Sequence, residues 1–304
     1  MKVFISGSEG MVGRNLHEHL LKENSYEIFS PKRSELNLLD YEKLEKFFQI
    51  NKPDVVIHCA GLVGGIHANM AANVEFFETN MMLGYNIVKS CIQCDVEQLI
   101  NLGSSCMYPS GINPLNEKDL FNGKIEITNE GYGLAKLATA KYTEMCNKQY
   151  GLSYKTLIPC NLFGKWDKFD PDKSHMIPAV IRKVHVAKEE GQDSCEIWNN
   201  GEGRREFMYV KDLVDFISFS IKNTKKIPTY CNVGTGIDFT INEYHQMVKE
   251  VIGYSGSFHH DLSKPAGVSR RLLDISNVKK LGWKPSYSVK EGIEETYNFF
   301  LKTV

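Results

Sequence analysis

Ser104, Ser105 and Cys106 follow the apolar run Gln98-Leu99-Ile100-Asn101 and precede a Tyr108-Pro109 turn, so two hydroxyls and a thiol arrive together at a strand end. Farther along, Tyr132 and Lys136 stand at i and i+4, which on a helix places a phenol and an amine on one face. These groups suit proton delivery. A ketone that accepts a hydride becomes an alkoxide and needs a proton at that moment. A free phenol, with a pKa of about 10, is a reluctant donor, and a neighbouring ammonium stabilises the phenolate and lowers that value. The Ser104 hydroxyl would hydrogen-bond the carbonyl oxygen and stabilise developing charge.

Such a site requires a hydride source and a scaffold. Lys2 to Ser6 is a β-rich apolar run entering Gly7-Ser8-Glu9-Gly10-Met11-Val12-Gly13, and the helical pattern Asn15-Leu16-His17-Glu18-His19-Leu20-Leu21 follows. After a first strand, G-x-x-G-x-x-G lets the backbone approach a pyrophosphate whose charge sits on the helix N-terminus. Gly7, Gly10, Met11, Val12 and Gly13 are therefore candidate cofactor contacts; a plain strand-helix turn is the bland alternative. Tyr26-Glu27-Ile28-Phe29-Ser30 reads as the second strand, and it ends at Pro31-Lys32-Arg33 rather than at an acid for a ribose 2′-hydroxyl. Arg33, whose fork fits a 2′-phosphate, favours NADP(H) over NAD, with Glu9 pulling the other way.

The alternation continues. Leu36-Asn37-Leu38-Leu39-Asp40 is expected to carry on the βαβ rhythm ahead of a helix over 41–50. Asp54-Val55-Val56-Ile57-His58-Cys59-Ala60 reads as a buried strand, with His58 a core residue, and opens into the glycine-rich 61–66 loop. One long helix over 69–90, a strand over 97–101, the Tyr132–Lys136 helix and a strand over 154–159 follow. The fold expected is α/β: a Rossmann-type, doubly wound parallel sheet with a smaller C-terminal substrate-binding lobe. Residues 1–164 would form the NADP-binding domain and 165–304 mainly the lobe, parts of the later chain returning to the first domain.

Composition sets bounds. With 304 residues, 42% hydrophobic, 24% charged and a net charge of −1, the chain reads as a soluble globular protein. That charge argues against a nucleic-acid partner held by a general basic field. No apolar run approaches the roughly 20 residues needed to span a bilayer, so no membrane partner is expected. Eight dispersed cysteines, including a Cys91/Cys94 pair that reads as two helix thiols, fit a reducing cytoplasm and no metal site.

Tyr-x-x-x-Lys behind a glycine-loop domain, with a serine on the preceding strand, is the short-chain dehydrogenase/reductase arrangement. There Lys136 would also hold the nicotinamide ribose. More specifically, Ser104-Ser105-Cys106-Met107-Tyr108-Pro109, Ser174-His175-Met176-Ile177-Pro178-Ala179 and Arg205-Glu206-Phe207 resemble the GDP-L-fucose synthase family, the GDP-4-keto-6-deoxy-mannose 3,5-epimerase/4-reductases. The resemblance runs nearly end to end, through Val63-Gly64-Gly65-Ile66, Asn232-Val233-Gly234-Thr235-Gly236, Ser263-Lys264-Pro265, Arg271-Leu272-Leu273-Asp274 and Leu281-Gly282-Trp283.

The resemblance implies a second chemistry. Hydrogens beside a ketone are acidic, and inversion needs one group to remove a proton and another to return one on the opposite face. In this family that pair corresponds to Cys106 and His175, whose group types both titrate near neutrality when suitably placed. The resemblance also implies that Arg182, Trp198 and Arg205 bind the GDP portion, that Arg271 or Lys264 lies near the diphosphate, and that Asn161 positions substrate. A homodimer pairing through the Tyr-x-x-x-Lys helix is expected. Two departures stand out: Glu9 replaces an arginine frequent in the family, and the 165–173 loop differs. The expected activity is NADPH-dependent C4-reduction of a GDP-linked 4-keto-6-deoxy sugar, with prior C3/C5 epimerisation. The alternative is a C4-reductase only, acting on a GDP-4-keto-6-deoxy-heptose in bacterial polysaccharide biosynthesis.

Overall fold

A computed structural model describes residues 1–170, 174–264 and 268–304. Residues 171–173 of the divergent loop and Pro265 of the Ser263-Lys264-Pro265 motif lie outside them. In the first part of the chain, strands β1 (Lys2–Ser6), β2 (Glu27–Phe29), β3 (Val55–His58), β4 (Gln98–Leu102) and β5 (Lys155–Pro159) are interleaved with helices. These are α1 (Met11–Lys22), α2 (Tyr41–Asn51), α3 (Ile66–Ala71), α4 (Asn73–Gln93) and α5 (Glu130–Tyr150). Then come β6 (Asn161–Phe163), α6 (Met176–Glu189), β7 (Ser194–Trp198), β8 (Arg204–Arg205), β9 (Phe207–Tyr209), α7 (Val210–Lys222) and β10 (Tyr230–Val233). The chain closes with β11 (Phe239–Thr240), α8 (Ile241–Ile252), β12 (Ser257–Asp261), β13 (Arg270–Arg271), α9 (Ser276–Lys280) and α10 (Val289–Phe300).

The main sheet has six strands in the order β10-β5-β4-β3-β1-β2, all parallel. Alternation along β1 explains why both faces must be covered. Val3 and Ile5 join Leu16 and Leu20 of α1 and Leu213, Phe216 and Ile217 of α7. Phe4, between them, turns to Leu44 and Phe48 of α2 and Ile87 and Val88 of α4 on the opposite side. This is the expected doubly wound sheet. Since β1 has β2 on one side and β3 on the other, the connections diverge between β1 and β3, and a ligand crevice opens at their C-terminal ends. The Ser6 hydroxyl fixes that point by accepting from Cys59 N and Ala60 N and bonding His58 Nδ1 at 2.9 Å.

A second core joins Ile177, Val180, Ile181 and Val184 of α6 to Tyr244 and Val248 of α8 and Ile293 of α10. Met11 and Val12, at the start of α1, pack against it, so the glycine-loop helix touches both bodies. One buried carboxylate organises the short strands nearby. Glu206 accepts from Thr235 N at 2.6 Å, Gly236 N at 2.7 Å and Leu273 N at 2.8 Å. Burial raises its pKa, and those backbone donors pull the other way. The chain does return to the main sheet: β10 adds at the edge beside β5, and α7 packs on α1.

Two expectations change. Leu36–Asp40 forms turns rather than a strand, because β2 is the sheet edge and Leu36 and Leu38 are already buried in the Phe4–Phe48 core. Asp40 instead caps α2 by accepting from Lys43 N. The expected single helix over 69–90 breaks at Ala72, whose φ of −136° and ψ of 40° leave the helical region.

Helix α5 is tied to the sheet edge by Glu144, which pairs with Lys141 and Lys148 at 2.6 Å and accepts from Tyr230 Oη of β10 at 2.9 Å. The two lysine contacts lead in bringing its carboxyl down to about 2. A depressed carboxylate pKa contributes stability above the unfolded value of about 4.5 and loses it as pH falls toward 2. Glu144→Gln should destabilise the fold at pH 7 by about 1–2 kcal/mol, discounted for the exposed lysines. Urea titrations should show that gap closing between pH 4.5 and 2.

Candidate active site

The nucleotide end of the crevice begins at the glycine loop. A Cβ on Gly13 would lie 2.2 Å from the Gly7 carbonyl oxygen, so only glycine permits the tight wrap from β1 into α1. Gly10 N donates to Gly7 O, and Arg14 N to Gly10 O. Gly10 caps α1 without a side-chain bond, and the first turn holds no acid. Its amides at Met11, Val12 and Gly13 thus face the crevice side of a helix N-terminus, a setting that fits a pyrophosphate. At the end of β2, Lys32 and Arg33 are exposed. The Glu9 carboxylate is occupied by Arg33 N at 3.1 Å, so it orders the basic turn as well as adding negative charge.

Across the sheet, β4 delivers Ser104 to a short 3-10 turn, Ser105–Met107, with the Ser104 hydroxyl accepting from Cys106 N at 3.2 Å. Helix α5 lies against this turn. A Cβ on Gly133 would meet the Cys106 carbonyl oxygen at 2.5 Å, so glycine is what lets Tyr132 and Lys136 reach the strand end. Lys136 is 6% exposed and its Nζ donates to Leu102 O at 3.1 Å, the last carbonyl of β4. Burial lowers its pKa to about 8, with Cys59 pulling the other way. An ammonium with one protein acceptor keeps donors free for ribose hydroxyls.

Burial raises the Tyr132 phenol, the Cys106 sulfur adds to that, and the Ser104 side chain opposes both. The expected lowering by Lys136 is not among the influences on the phenol, because that ammonium is turned to Leu102 O. A protonated phenol is nevertheless the form that can donate to an alkoxide.

Strand register explains a further feature. In the parallel pair β8·β13, Arg204 faces Arg270 and Arg205 faces Arg271. Asp238 takes the first pair, bonding Arg204 Nε at 3.1 Å and Arg270 Nε at 2.5 Å. Arg205 and Arg271 point away from it and have no carboxylate partner among the described residues. Burial first, and Arg271 next, lower the Arg205 pKa. Arg271 Nη1 donates to Cys106 Sγ at 3.7 Å. Two adjacent arginines lacking an acid among the described residues have the chemistry to take a dianion, and the Cys106 sulfur lies beside one of them.

The other expected residues have different partners. Asn161 Nδ2 donates to Glu206 O at 2.9 Å. Arg182 Nη1 donates to Phe169 O at 2.8 Å. Trp198 is 47% exposed and carries Lys264 Nζ over its ring at 5.6 Å. His67 of α3 meets the same indole edge-on at 6.2 Å. His175 is the N-cap residue of α6 and pairs with Asp167, Nδ1 to Oδ1, at 3.8 Å. No hydrogen bond or ion pair among the described residues joins His175, Arg182 or Trp198 to Ser104, Tyr132 or Cys106. Sequence reasoning missed Glu206, Asp238, His67 and Asp167 as contributors. Only Glu206 had a signal, its place between Arg205 and Phe207 in a quoted motif.

In the cofactor-free protein, NMR of lysine labelled at the ε-carbon should show Lys136 titrating near 8, well below the ordinary 10.5. A midpoint at the ordinary value would contradict the buried placement of its amine.

Comparison with known proteins extends the geometry. The NAD dependent epimerase/dehydratase family matches residues 3–234. GDP-L-colitose synthase of Yersinia pseudotuberculosis is 45% identical over 303 residues, which cover 99% of this chain and 98% of that protein. GDP-L-fucose synthase of Azorhizobium caulinodans is 44% identical over 301 residues, covering 99% and 96%. Among solved structures, a GDP-mannoheptose C4 reductase from Campylobacter jejuni with NADP bound is similar at a TM-score of 0.90 and 34% identity, covering 99% and 98%. The family match begins within β1 and ends just past β10, the span that closes the six-stranded sheet around its ligand crevice. On that agreement of sequence and architecture, the chain belongs to the NAD dependent epimerase/dehydratase family.

Proposed function

We propose that this protein is an NADPH-dependent C4-reductase of a GDP-linked 4-keto-6-deoxy sugar that first inverts the carbons flanking the ketone. The observation that carries this reading is the acid-free pair Arg205 and Arg271, one side-chain contact from Cys106 and therefore beside Tyr132. A diphosphate on the two arginines brings the attached sugar to the thiol and the phenol. NADPH supplies the hydride. The α1 amides at Met11, Val12 and Gly13 hold its pyrophosphate, Arg33 its 2′-phosphate and Lys136 its ribose hydroxyls.

The chain's own groups divide the remaining work. Cys106, whose sulfur accepts from Arg271 Nη1, serves one face of the sugar ring. His175 serves the other face, so a proton removed by one group is replaced by the other and the centre inverts. Ser104 hydrogen-bonds the C4 oxygen, and Tyr132 donates its phenolic proton to the alkoxide as it forms. Asn161, Arg182, Trp198 and Lys264 bind the rest of the GDP-sugar. The product is an activated deoxy sugar of the kind consumed in polysaccharide assembly.

Exposed apolar side chains support a homodimer. Val74, Phe77 and Tyr85 recur at helical spacing on α4, as do Leu134 and Met145 on α5, and the two helices pack together. Eight unpaired cysteines fit a reducing cytoplasm. No helix among the described residues is long and apolar enough to cross a membrane.

A second reading, reduction without inversion on a heptose substrate, is favoured by the similarity to the GDP-mannoheptose C4 reductase. Product NMR separates the two. With GDP-4-keto-6-deoxy-mannose in D₂O, the first reading predicts deuterium at C3 and C5 and inverted centres in the product. Reduction with neither label nor inversion supports the second, with faster turnover of the heptose counterpart. Cofactor choice is tested by Arg33→Ala, which should raise the KM for NADPH about tenfold or more while leaving that for NADH unchanged, the cost of one charge-assisted contact.

A further inference from the structure

His175 faces, at 3.8 Å, a carboxylate that neither its motif nor the reduction chemistry calls for. The loop after β6 turns at Gly164 and passes through Trp166, whose φ of 70° lies in the left-handed region. That indole is fastened on several sides. Its Nε1 donates to Glu18, Arg14 and Lys165 lie over the ring at 4.7 and 4.8 Å, and Phe299 meets it edge-on at 4.9 Å. Asp167 comes next, with its backbone N donating to Gly164 O.

The Asp167 side chain is 5% exposed. Its Oδ1 accepts from Lys168 N at 2.8 Å and lies 3.8 Å from His175 Nδ1. Its Oδ2 is buried with no hydrogen-bond partner among the described residues. Buried carboxylates are normally satisfied, so an orphaned oxygen beside an imidazole calls for an explanation. The ring of His175 is 42% exposed, so one edge meets Asp167 and the other stays accessible. Other charged groups of this region are Lys168 and Asp170 on the loop and Arg182 on α6, whose guanidinium is bonded to Phe169 O.

We infer that Asp167 is the positioning residue for His175, accepting its Nδ1–H so that Nε2 is the nitrogen presented to the sugar. This rests on the proposed inversion. The 3.8 Å separation is an open-site distance that tightens to a hydrogen bond when substrate is bound. In the step itself, the Nε2 proton passes to the carbon of the enediolate and the ring is left neutral. The Nδ1 proton stays between the ring and Asp167 throughout, fixing both tautomer and ring orientation. A carboxylate that only stabilised the turn at Lys168 N would leave the imidazole tautomer unaffected.

The test uses full-length protein with ¹⁵N-labelled histidine, loaded with NADP. In the wild type the neutral His175 ring should be the Nδ1–H tautomer. In Asp167→Asn it should revert toward the Nε2–H form common to free imidazoles, and Asp167→Glu should restore part of the Nδ1–H population. Deuterium entry into the keto sugar should slow at least tenfold in Asp167→Asn, in kcat more than KM, with NADPH affinity unchanged. A His175 tautomer indifferent to Asp167→Asn overturns the pairing, even if deuterium entry remains normal. If the wild type incorporates no deuterium but the tautomer responds, the pairing stands and the inversion reading fails.

Discussion

The site depends on how closely α5 can approach the end of β4. Gly133 sits against the Cys106 carbonyl, and one turn on, the Lys136 ammonium is buried with Leu102 O as its protein acceptor. Burying a charge with a single neutral partner is costly, and the depressed pKa of about 8 expresses that cost. The helix tolerates it because its remaining length is anchored elsewhere: Ala140 and Cys146 enter the two sheet cores, and Glu144 is tied to Tyr230. With that approach fixed, Tyr132, Ser104 and Cys106 have little freedom relative to one another. The chemistry follows from a packing distance.

The second body supplies what the sheet cannot. Arg205 and Arg271 meet because β8 and β13 are parallel and in register, and Asp238 neutralises their neighbours while leaving them unpaired. Glu206, just past β8, ties the chain after β10 at Thr235 N and Gly236 N to Leu273 N just past β13. Charged residues at adjacent positions thus differ in partners: Arg204 and Arg270 pair with Asp238, and Arg205 and Arg271, with no carboxylate partner among the described residues, are the proposed anion contacts. The body bearing them also packs on Met11 and Val12, so it is joined to the glycine loop through one helix.

The sheet was legible because its strands are short apolar runs ending in glycine or small polar residues, and its helices carry a clear apolar stripe. The strand–glycine-loop–helix turn and the placing of Tyr132 and Lys136 on one helix were legible because both are local matters of spacing. Leu36–Asp40 misled because alternating buried leucines look the same in a turn as in a strand; only the sheet edge at β2 decides. The break at Ala72 has no breaker residue to announce it. Asp167 and Asp238 were invisible because their partners are remote in the chain or hidden by a loop, and nothing local separates a structural aspartate from a positioning one. Which arginines are left without a carboxylate partner among the described residues depended on strand register, a property of the fold.

In the proposed reaction, proton delivery to the C4 alkoxide and exchange at the flanking carbons use different groups of one site. Tyr132→Phe, with NADPH and GDP-4-keto-6-deoxy-mannose in D₂O, measures both at once. NADPH oxidation should fall by about 10²–10⁴-fold, the usual contribution of a general acid, while deuterium still enters C3 and C5 at close to the wild-type rate. Full-rate NADPH oxidation by Tyr132→Phe, with cofactor bound normally, would contradict the proposal.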